Sequence, residues 1–276
     1  MLTVDLHSHS THSDGLLSPA AVTARAAAQG VTMYALTDHD ELSALPIARA
    51  EAQAHGMMFI AGVEISVSWL HETLHIVGLN INDTQADLVD GLRAVRRGRS
   101  ARAERIAADL ERVGIKGALA GARGYAINPD LLSRTHFARY LVEHGYVADT
   151  HAAFKRYLTE GKPGYVEHQW TTLPQAVSWI RAAGGVAVIA HPGRYKLNNA
   201  QREKMLGDFR DLGGTGIEVV TGSHTADEYG TWARYAQRFG LHASAGSDFH
   251  GPGESYLDLG RLPDLPHGLT PVWGEF

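Results

Sequence analysis

The chain has 276 residues, 44% apolar and 20% charged, which is long enough for one large domain and balanced like an ordered globular protein. Lys and Arg number 25 against 30 Asp and Glu, and the resulting charge of −5 offers no basic surface for coating nucleic acid. With no Cys, disulfides, thiolate metal sites, iron–sulfur clusters and a Cys nucleophile are all excluded.

The first segment, Met1 to His7, lacks a basic stretch leading into an apolar one, and no apolar run approaches eighteen residues. The expectation is a soluble cytoplasmic protein with no membrane contact. A strand is expected over Leu2–Leu6, then a helix from Pro19 to Gly30 with Ser18 as N-cap and Pro19 in its first turn. Strand Val31–Thr37, helix Ser43–His55 and strands Met57–Ile65 and Leu74–Leu79 follow. From Asp83 to about Tyr165 the pattern turns helical. Leu88–Gly114 is rich in Ala, Leu and Arg, read as a solvated helix face or as a source of basic side chains for a pocket. Gly117–Gly124 reads as a loop. The strand–helix rhythm returns after Gly184, with strands Val186–Ala190, Gly216–Val220 and His242–Ala245 and helices Gln201–Leu212 and Ala226–Phe239. This alternation predicts an α/β fold with a parallel sheet, open or closed into a barrel. The expected division is a barrel over 1–98 and 167–276, with a mainly helical insertion over 99–166 capping the substrate.

Histidine is the compositional outlier, at 16 residues. Several fall where a strand has just ended. His7 and His9 follow the first strand and, two apart, point to one side. His39 follows the second, Glu64 ends the third, His75 opens the fourth, His191 ends a later one, and Asp248 and His250 follow the last. In a barrel of parallel strands such positions converge on one mouth. With Asp14, six imidazoles and three carboxylates meet there, too many for one ion and suited to two or three if a carboxylate bridges. Imidazole with carboxylate and no thiolate fits Mn²⁺, Zn²⁺ or Fe²⁺.

These motifs, Asp5-Leu6-His7-Ser8-His9 with Ser13-Asp14-Gly15, Thr37-Asp38-His39-Asp40, Gly62-Val63-Glu64-Ile65, Ala190-His191-Pro192 and Gly246-Ser247-Asp248-Phe249-His250, resemble the PHP family, named for polymerase and histidinol phosphatase. The resemblance implies a distorted seven-stranded β/α barrel of the amidohydrolase-like kind and a trinuclear centre, with Mn²⁺ as the first expectation. It implies one ion on His7, His9, Glu64 and Asp248. A second shares Glu64 with His75 and His191, and a third takes Asp14, His39 and His250. His71 is the nearest rival of His75. Ser133-Arg134-Thr135-His136-Phe137-Ala138-Arg139 and Gly161–Val166 are similar to the branch that acts on nucleoside 3′,5′-bisphosphates, some members of which trim short RNA; the branch usually has Pro where Thr135 stands.

The resemblance thus implies in-line attack by a metal-bridging hydroxide on the 3′-phosphate, giving a nucleoside 5′-monophosphate and phosphate. Three divalent ions outweigh three carboxylates, and the surplus positive charge suits a phosphate dianion better than a neutral amide. Glu64, Asp248 and His191 form the expected catalytic set, with Asp248 or a nearby His assisting proton transfer. Ser133, Arg134, His136, Lys162, Arg194 and His224 are the expected substrate contacts, Arg134 through its bidentate fork. Glu218 falls near the same mouth with no assigned role. Asp5, Asp38 and Asp40 are expected to orient ligand imidazoles, and His12 is a minor candidate contact. His55, His144, His151, His168, His242 and His267 read as ordinary. The competing readings are a 5′-to-3′ exoribonuclease on short RNA, a phosphatase for histidinol phosphate or a similar monoester, a non-catalytic polymerase-associated barrel, and an amidohydrolase or deaminase. Glu64, standing where many of the last group have a bridging Lys, opposes that one. Partners are expected to be small nucleotides and possible short RNA ends, not DNA.

Overall fold

The computed structural model describes residues 2–276. Seven strands form the main sheet: β1 (Val4–Asp5), β2 (Met33–Leu36), β3 (Met58–Trp69), β4 (Glu72–Leu79), β6 (Val186–Ile189), β7 (Gly216–Thr221) and β8 (His242–Gly246). A two-residue β5 (Thr171–Thr172) pairs with β3 outside this path. The order β1-β2-β3-β4-β6-β7-β8 brings the outer strands together, where Leu6 N–H donates to Ala245 (2.9 Å) and Asp248 N–H to His7 (2.9 Å). The result is a nearly closed seven-strand barrel.

The parallel expectation holds for β1–β2–β3 and β6–β7–β8 but not for β4, which is antiparallel to both β3 and β6. Only Leu70 and His71 separate β3 from β4, and Leu70 takes a positive φ of 50°. So short a link cannot make the crossover that parallel pairing needs.

Strand alternation sorts the barrel. Met33, Ala35, Ile60, Val77, Leu79 and Val188 share one apolar cluster with Leu6 and Val272. Their alternate neighbours Tyr34, Leu36, Ala61, Ile76 and Ile189 pack in the larger cluster that includes the surrounding helices. Glu64 lies four residues beyond Ile60 and His75 two before Val77, so both share the inner face and continue it from apolar to polar.

Helices α1 (Pro19–Ala28), α2 (Leu45–Ala54), α7 (Leu173–Ala182), α8 (Asn199–Asp211) and α9 (Ala226–Phe239) surround the barrel. Ser18 caps α1 by accepting the Ala21 N–H, with Pro19 in the first turn. The inserted region consists of α3 (Ala86–Arg112), α4 (Ala118–Tyr125), α5 (Arg134–Glu143) and α6 (Thr150–Ala153). Leu88 and Leu92 at the start of α3 belong to the barrel's core, whereas Ala103, Ile106 and Leu110 join Phe137, Leu141 and Leu158 in a separate one. Residue 98 therefore lies inside a continuous helix that serves both cores.

The loop expected over Gly117–Gly124 is α4 instead. Gly117 (φ 73°) starts the helix, and Gly121 lets it approach Tyr140 so closely that a Cβ would sit 1.9 Å from the ring. That glycine serves a helix contact rather than a turn. Among the described residues no helix is long and apolar enough to cross a membrane.

A candidate metal centre at the barrel mouth

The ligand-type side chains reach the mouth because each strand stops just before or at them. Beyond β1 the chain carries His7 and His9 past Ser8, whose backbone bridges to Phe249. His39 bridges in the same way to Glu64 on β3. Gly246, just before Asp248, permits the final approach: a Cβ there would lie 2.3 Å from that of His7. Three non-glycine residues at or beside the centre, Asp40 (φ 51°), His191 (φ 26°) and Asp248 (φ 55°), hold positive φ, a sparsely populated conformation kept only where the surroundings enforce it.

All nine side chains converge. They form four overlapping groups able to hold an ion: His9, Asp14, His39 and His250; His7, His9 and Asp248; His7, Glu64 and His191; and His39, Glu64 and His75. Glu64 is central. Its Oε1 lies 2.7 Å from His75 Nδ1 and 2.9 Å from His191 Nε2. Its Oε2 lies 2.9 Å from His39 Nδ1 and 3.3 Å from the Nε2 atoms of both His7 and His9. Asp248 Oδ1 approaches His9 Nε2 at 3.2 Å, and Asp14 Oδ1 lies 3.4 Å from His250 Nε2. His75, not its neighbour His71, makes the contact with Glu64, while His71 lines the cavity outside.

Divalent cations fit this arrangement. The Nε2 atoms of His7 and His9 face each other at 3.2 Å, where only one could carry a proton between them. Glu64 Oε2 and Asp14 Oδ1 are buried with no hydrogen-bond donor aligned to them. Lone pairs thus converge on a buried space, which is costly unless a cation shares them. The electrostatics divide the imidazoles. Burial alone would raise the Glu64 carboxyl, but His39, His75 and His7 hold it well below the usual carboxylate range. Asp14 and Asp248 are likewise held low against burial by surrounding imidazoles. Burial drives His9 down to about 3, aided by His250 and His39, and drives His191 to about 3, aided by Arg194. His7, His39 and His250 go the other way: against burial, the neighbouring carboxylates raise them, His250 to about 9. Neutral imidazole is the form that ligates a metal, so a cation entering among these carboxylates would displace those protons.

The three aspartates expected to orient imidazoles do something else. Asp5 accepts the Ser247 N–H (2.8 Å), Asp38 accepts the Ser10 N–H (2.7 Å) and the hydroxyls of Ser10 and Ser13, and Asp40 accepts the Ser66 N–H (2.9 Å) and pairs with Arg99. They brace the loops that carry the ligands rather than the rings. Outside the nine ligand-type residues, the carboxylate that touches one of their rings is Glu218, at 2.7 Å from His7 Nδ1. His12 is tied to Ser43 (2.9 Å).

Outside the centre opens a cavity of about 340 Å³. Of the six residues expected to contact substrate, Ser133, Arg134 and Arg194 line it. Arg134 donates one bond to Leu158 O (3.2 Å), and Arg194 donates to Asp248 Oδ2 (2.7 Å). The other three expected contacts do not reach the wall. His136 is buried beneath it, accepting the Ser133 N–H (3.1 Å) to complete the N-terminal cap of α5. His224 accepts the Gly193 N–H (2.9 Å) and so steadies the turn that presents Arg194. Lys162 sits on an exposed turn away from the wall.

The cavity is also lined by Arg99 and Arg102 from α3, within the Arg-rich segment for which a source of pocket cations was one of the two readings, together with His168, read as ordinary, and Trp170. Arg99 and Arg102 lie over the Trp170 ring at 4.6 and 5.3 Å. Arg102 is buried with one bond, to Val166 O (3.1 Å); burial and the nearby Arg134 and Arg99 push its guanidinium down from the ordinary value. Since Arg stays charged, this crowding is a cost that a bound anion would relieve. A spacing signal existed. Arg99 and Arg102 are three apart on a helix and share a face, but nothing in the sequence says which face meets the cavity.

The PHP domain family matches residues 5–166. A 3′,5′-nucleoside bisphosphate phosphatase from Chromobacterium violaceum is 50% identical over 100% of this chain and 96% of its own length. A 5′-3′ exoribonuclease from Haemophilus influenzae is 42% identical over 99% of this chain and 98% of its own. A solved structure described as an amidohydrolase from Chromobacterium violaceum, with bound sulfate and no metal, superposes with a TM-score of 0.97 at 50% identity, covering 99% of this chain and 95% of that one.

Proposed function

The chain belongs to the PHP domain family and is a phosphoesterase, and from that premise we propose that it removes the 3′-phosphate of nucleoside 3′,5′-bisphosphates. The observation that carries this reading is one cavity lined both by a carboxylate–imidazole centre and by the guanidiniums of Arg99, Arg102 and Arg134. Two anionic groups on one small substrate match those two sets of side chains. The relative named as a 3′,5′-nucleoside bisphosphate phosphatase supports it.

We assign His7, His9, Glu64 and Asp248 to one divalent ion, His75 and His191 with shared Glu64 to a second, and Asp14, His39 and His250 to a third. Mn²⁺ is the expected metal, with Zn²⁺ or Fe²⁺ as the alternatives the same donors allow. Such ions lower the pKa of bound water and neutralise phosphoryl oxygens. The chain's own residues do the rest. Arg134, at the first turn of α5, keeps further N–H groups free for the second phosphate, and the helix N-terminus adds its dipole there. Arg194 places a guanidinium at the edge of the centre, since it donates to Asp248 while lining the cavity. Histidinol phosphate fits less well: it carries one phosphate and a cationic amine, which the guanidinium wall repels.

The exoribonuclease reading is kept because the Haemophilus influenzae relative carries that name at 42% identity. Cleaving the 3′-O–P bond at the first nucleotide of 5′-phosphorylated RNA also yields a nucleoside 5′-monophosphate. Phosphate release from metal-loaded protein decides the matter, measured on a nucleoside 3′,5′-bisphosphate, the 3′-monophosphate, histidinol phosphate and a short 5′-phosphorylated RNA. Turnover of the bisphosphate no better than of histidinol phosphate would reject the proposal.

Arg134→Ala supplies a sharper check. Losing a charge-assisted contact worth about 1.5–3 kcal/mol is expected to cut the kcat/KM preference for bisphosphate over 3′-monophosphate by about 10- to 100-fold. An unchanged ratio would remove Arg134 from the second-phosphate site.

A further inference from the structure

We infer that Glu218 is a positioning residue that sets two separate ligands of the metal centre at once: the tautomer of His7 and the backbone of His191. The inference rests on the metal-centre assignment above and goes beyond it, because Glu218 ligates nothing.

Ile217 and Val219, its neighbours on β7, belong to the core shared with the helices, so alternation turns Glu218 inward. It is 1% exposed. A carboxylate buried so deeply needs a partner for each oxygen, and it has two. Oε1 lies 2.7 Å from His7 Nδ1, and Oε2 accepts the backbone N–H of His191 at 2.6 Å. The pocket is built for it: a Cβ at Gly246 would lie 3.0 Å from Oε1.

Each contact has a distinct consequence. With a carboxylate on Nδ1, the His7 ring keeps its proton there and turns the Nε2 lone pair toward Glu64 and Asp248 (3.3 and 3.5 Å). His191 sits at a φ of 26°, which an unassisted β-carbon residue avoids. The bond from its N–H to Glu218 holds that conformation and so places its Nε2 2.9 Å from Glu64. His7 and His191 stand in different ion assignments, although both neighbour Glu64 and their rings stack at 5.7 Å. Glu218 is a further tie between them, behind the ligands and out of the cavity.

Glu218→Gln tests this directly, since an amide has one acceptor and one donor and cannot accept from both groups. Titration of the metal-free protein with Mn²⁺, followed by metal analysis, is expected to show affinity weakened by about 10- to 100-fold. kcat should recover substantially at saturating Mn²⁺, which a merely unfolded variant would not do. Affinity within about twofold of the parent protein would overturn the inference. Should the variant fail to fold, ¹⁵N-histidine spectra of the zinc-loaded parent protein give an independent answer, with His7 assigned by its loss in His7→Ala. A proton on His7 Nδ1 is expected, and a proton on Nε2 overturns the proposal. A parent protein that binds no divalent metal would sink the metal centre itself. Normal binding by both parent and Glu218→Gln would sink only the role of Glu218.

Discussion

Glu64→Ala is expected to reduce phosphate release by at least about 10³-fold and to leave the protein with less bound metal than its parent. The size follows from the number of groups this carboxylate serves. Its two oxygens lie within 3.3 Å of five imidazoles, those of His7, His9, His39, His75 and His191. Substitution therefore removes the one group that the proposed assignment shares between neighbouring ions and leaves five rings, three of them buried, facing a gap. No other carboxylate replaces it, because Asp14 and Asp248 are engaged with His39, His250, His7 and His9, and Glu64 alone pairs with His75 and His191. Metal analysis beside kcat under saturating Mn²⁺ checks the result, and circular dichroism confirms the fold. A variant with full metal content and parental turnover would defeat the assignment of Glu64 as the shared ligand.

The positions of the nine ligand-type residues were legible because the code for them is local. A strand that ends in His-x-His, or in Asp-x-x or Glu, places those groups at its terminus whatever the rest of the chain does. The barrel was legible for a similar reason, since strand and helix periods alternate along the chain. The antiparallel insertion of β4 was hidden because the strand ends read from the sequence, Ile65 and Leu74, leave eight residues between them, whereas β3 runs on to Trp69 and β4 starts at Glu72, leaving a two-residue link that permits no crossover. What could not be read depends on tertiary approach. Gly121 looks like a loop residue until Tyr140 is seen against it. For Arg99 and Arg102 the segment allows either a solvated face or a pocket, and only Trp170, packed beneath them, decides for the pocket. His168 looks ordinary by its flanks, yet it lines the cavity. Lys162 errs the other way: its motif is close in sequence to Arg134, but its turn faces solvent. Charge alone does not specify direction, and only packing of the inserted helices on the barrel supplies it. Asp40 illustrates the same point. Next to His39 it resembled a partner for a ligand ring, whereas its carboxylate belongs to a helix from the inserted region.

That pairing carries the largest expected stability effect. Asp40→Ala is expected to destabilise the protein by about 3–5 kcal/mol, because it leaves the guanidinium of Arg99 buried without its counter-charge. Asp40 is fully buried and Arg99 is 4% exposed. Asp40 Oδ2 takes bonds from both Nε (3.0 Å) and Nη2 of Arg99, and Oδ1 takes the Ser66 N–H (2.9 Å). Ala would also have to hold the positive φ of 51° that Asp tolerates better. Ser66 Oγ, 2.9 Å from Arg99 Nη2, accepts one bond but brings no charge. Urea unfolding measures the loss, and a change below about 1 kcal/mol would contradict the buried-pair account. A second variant separates charge from space: Asp40→Ala combined with Arg99→Met is expected to recover part of the loss, since no unpaired guanidinium then remains. The pair also joins α3 to the loop after β2, so the arginines of α3 and His39 are fixed to each other through one buried contact. Weakening it should loosen the placement of those arginines relative to the centre, and activity of Asp40→Ala on bisphosphates should fall more than its activity on 3′-monophosphates, which lack the second phosphate.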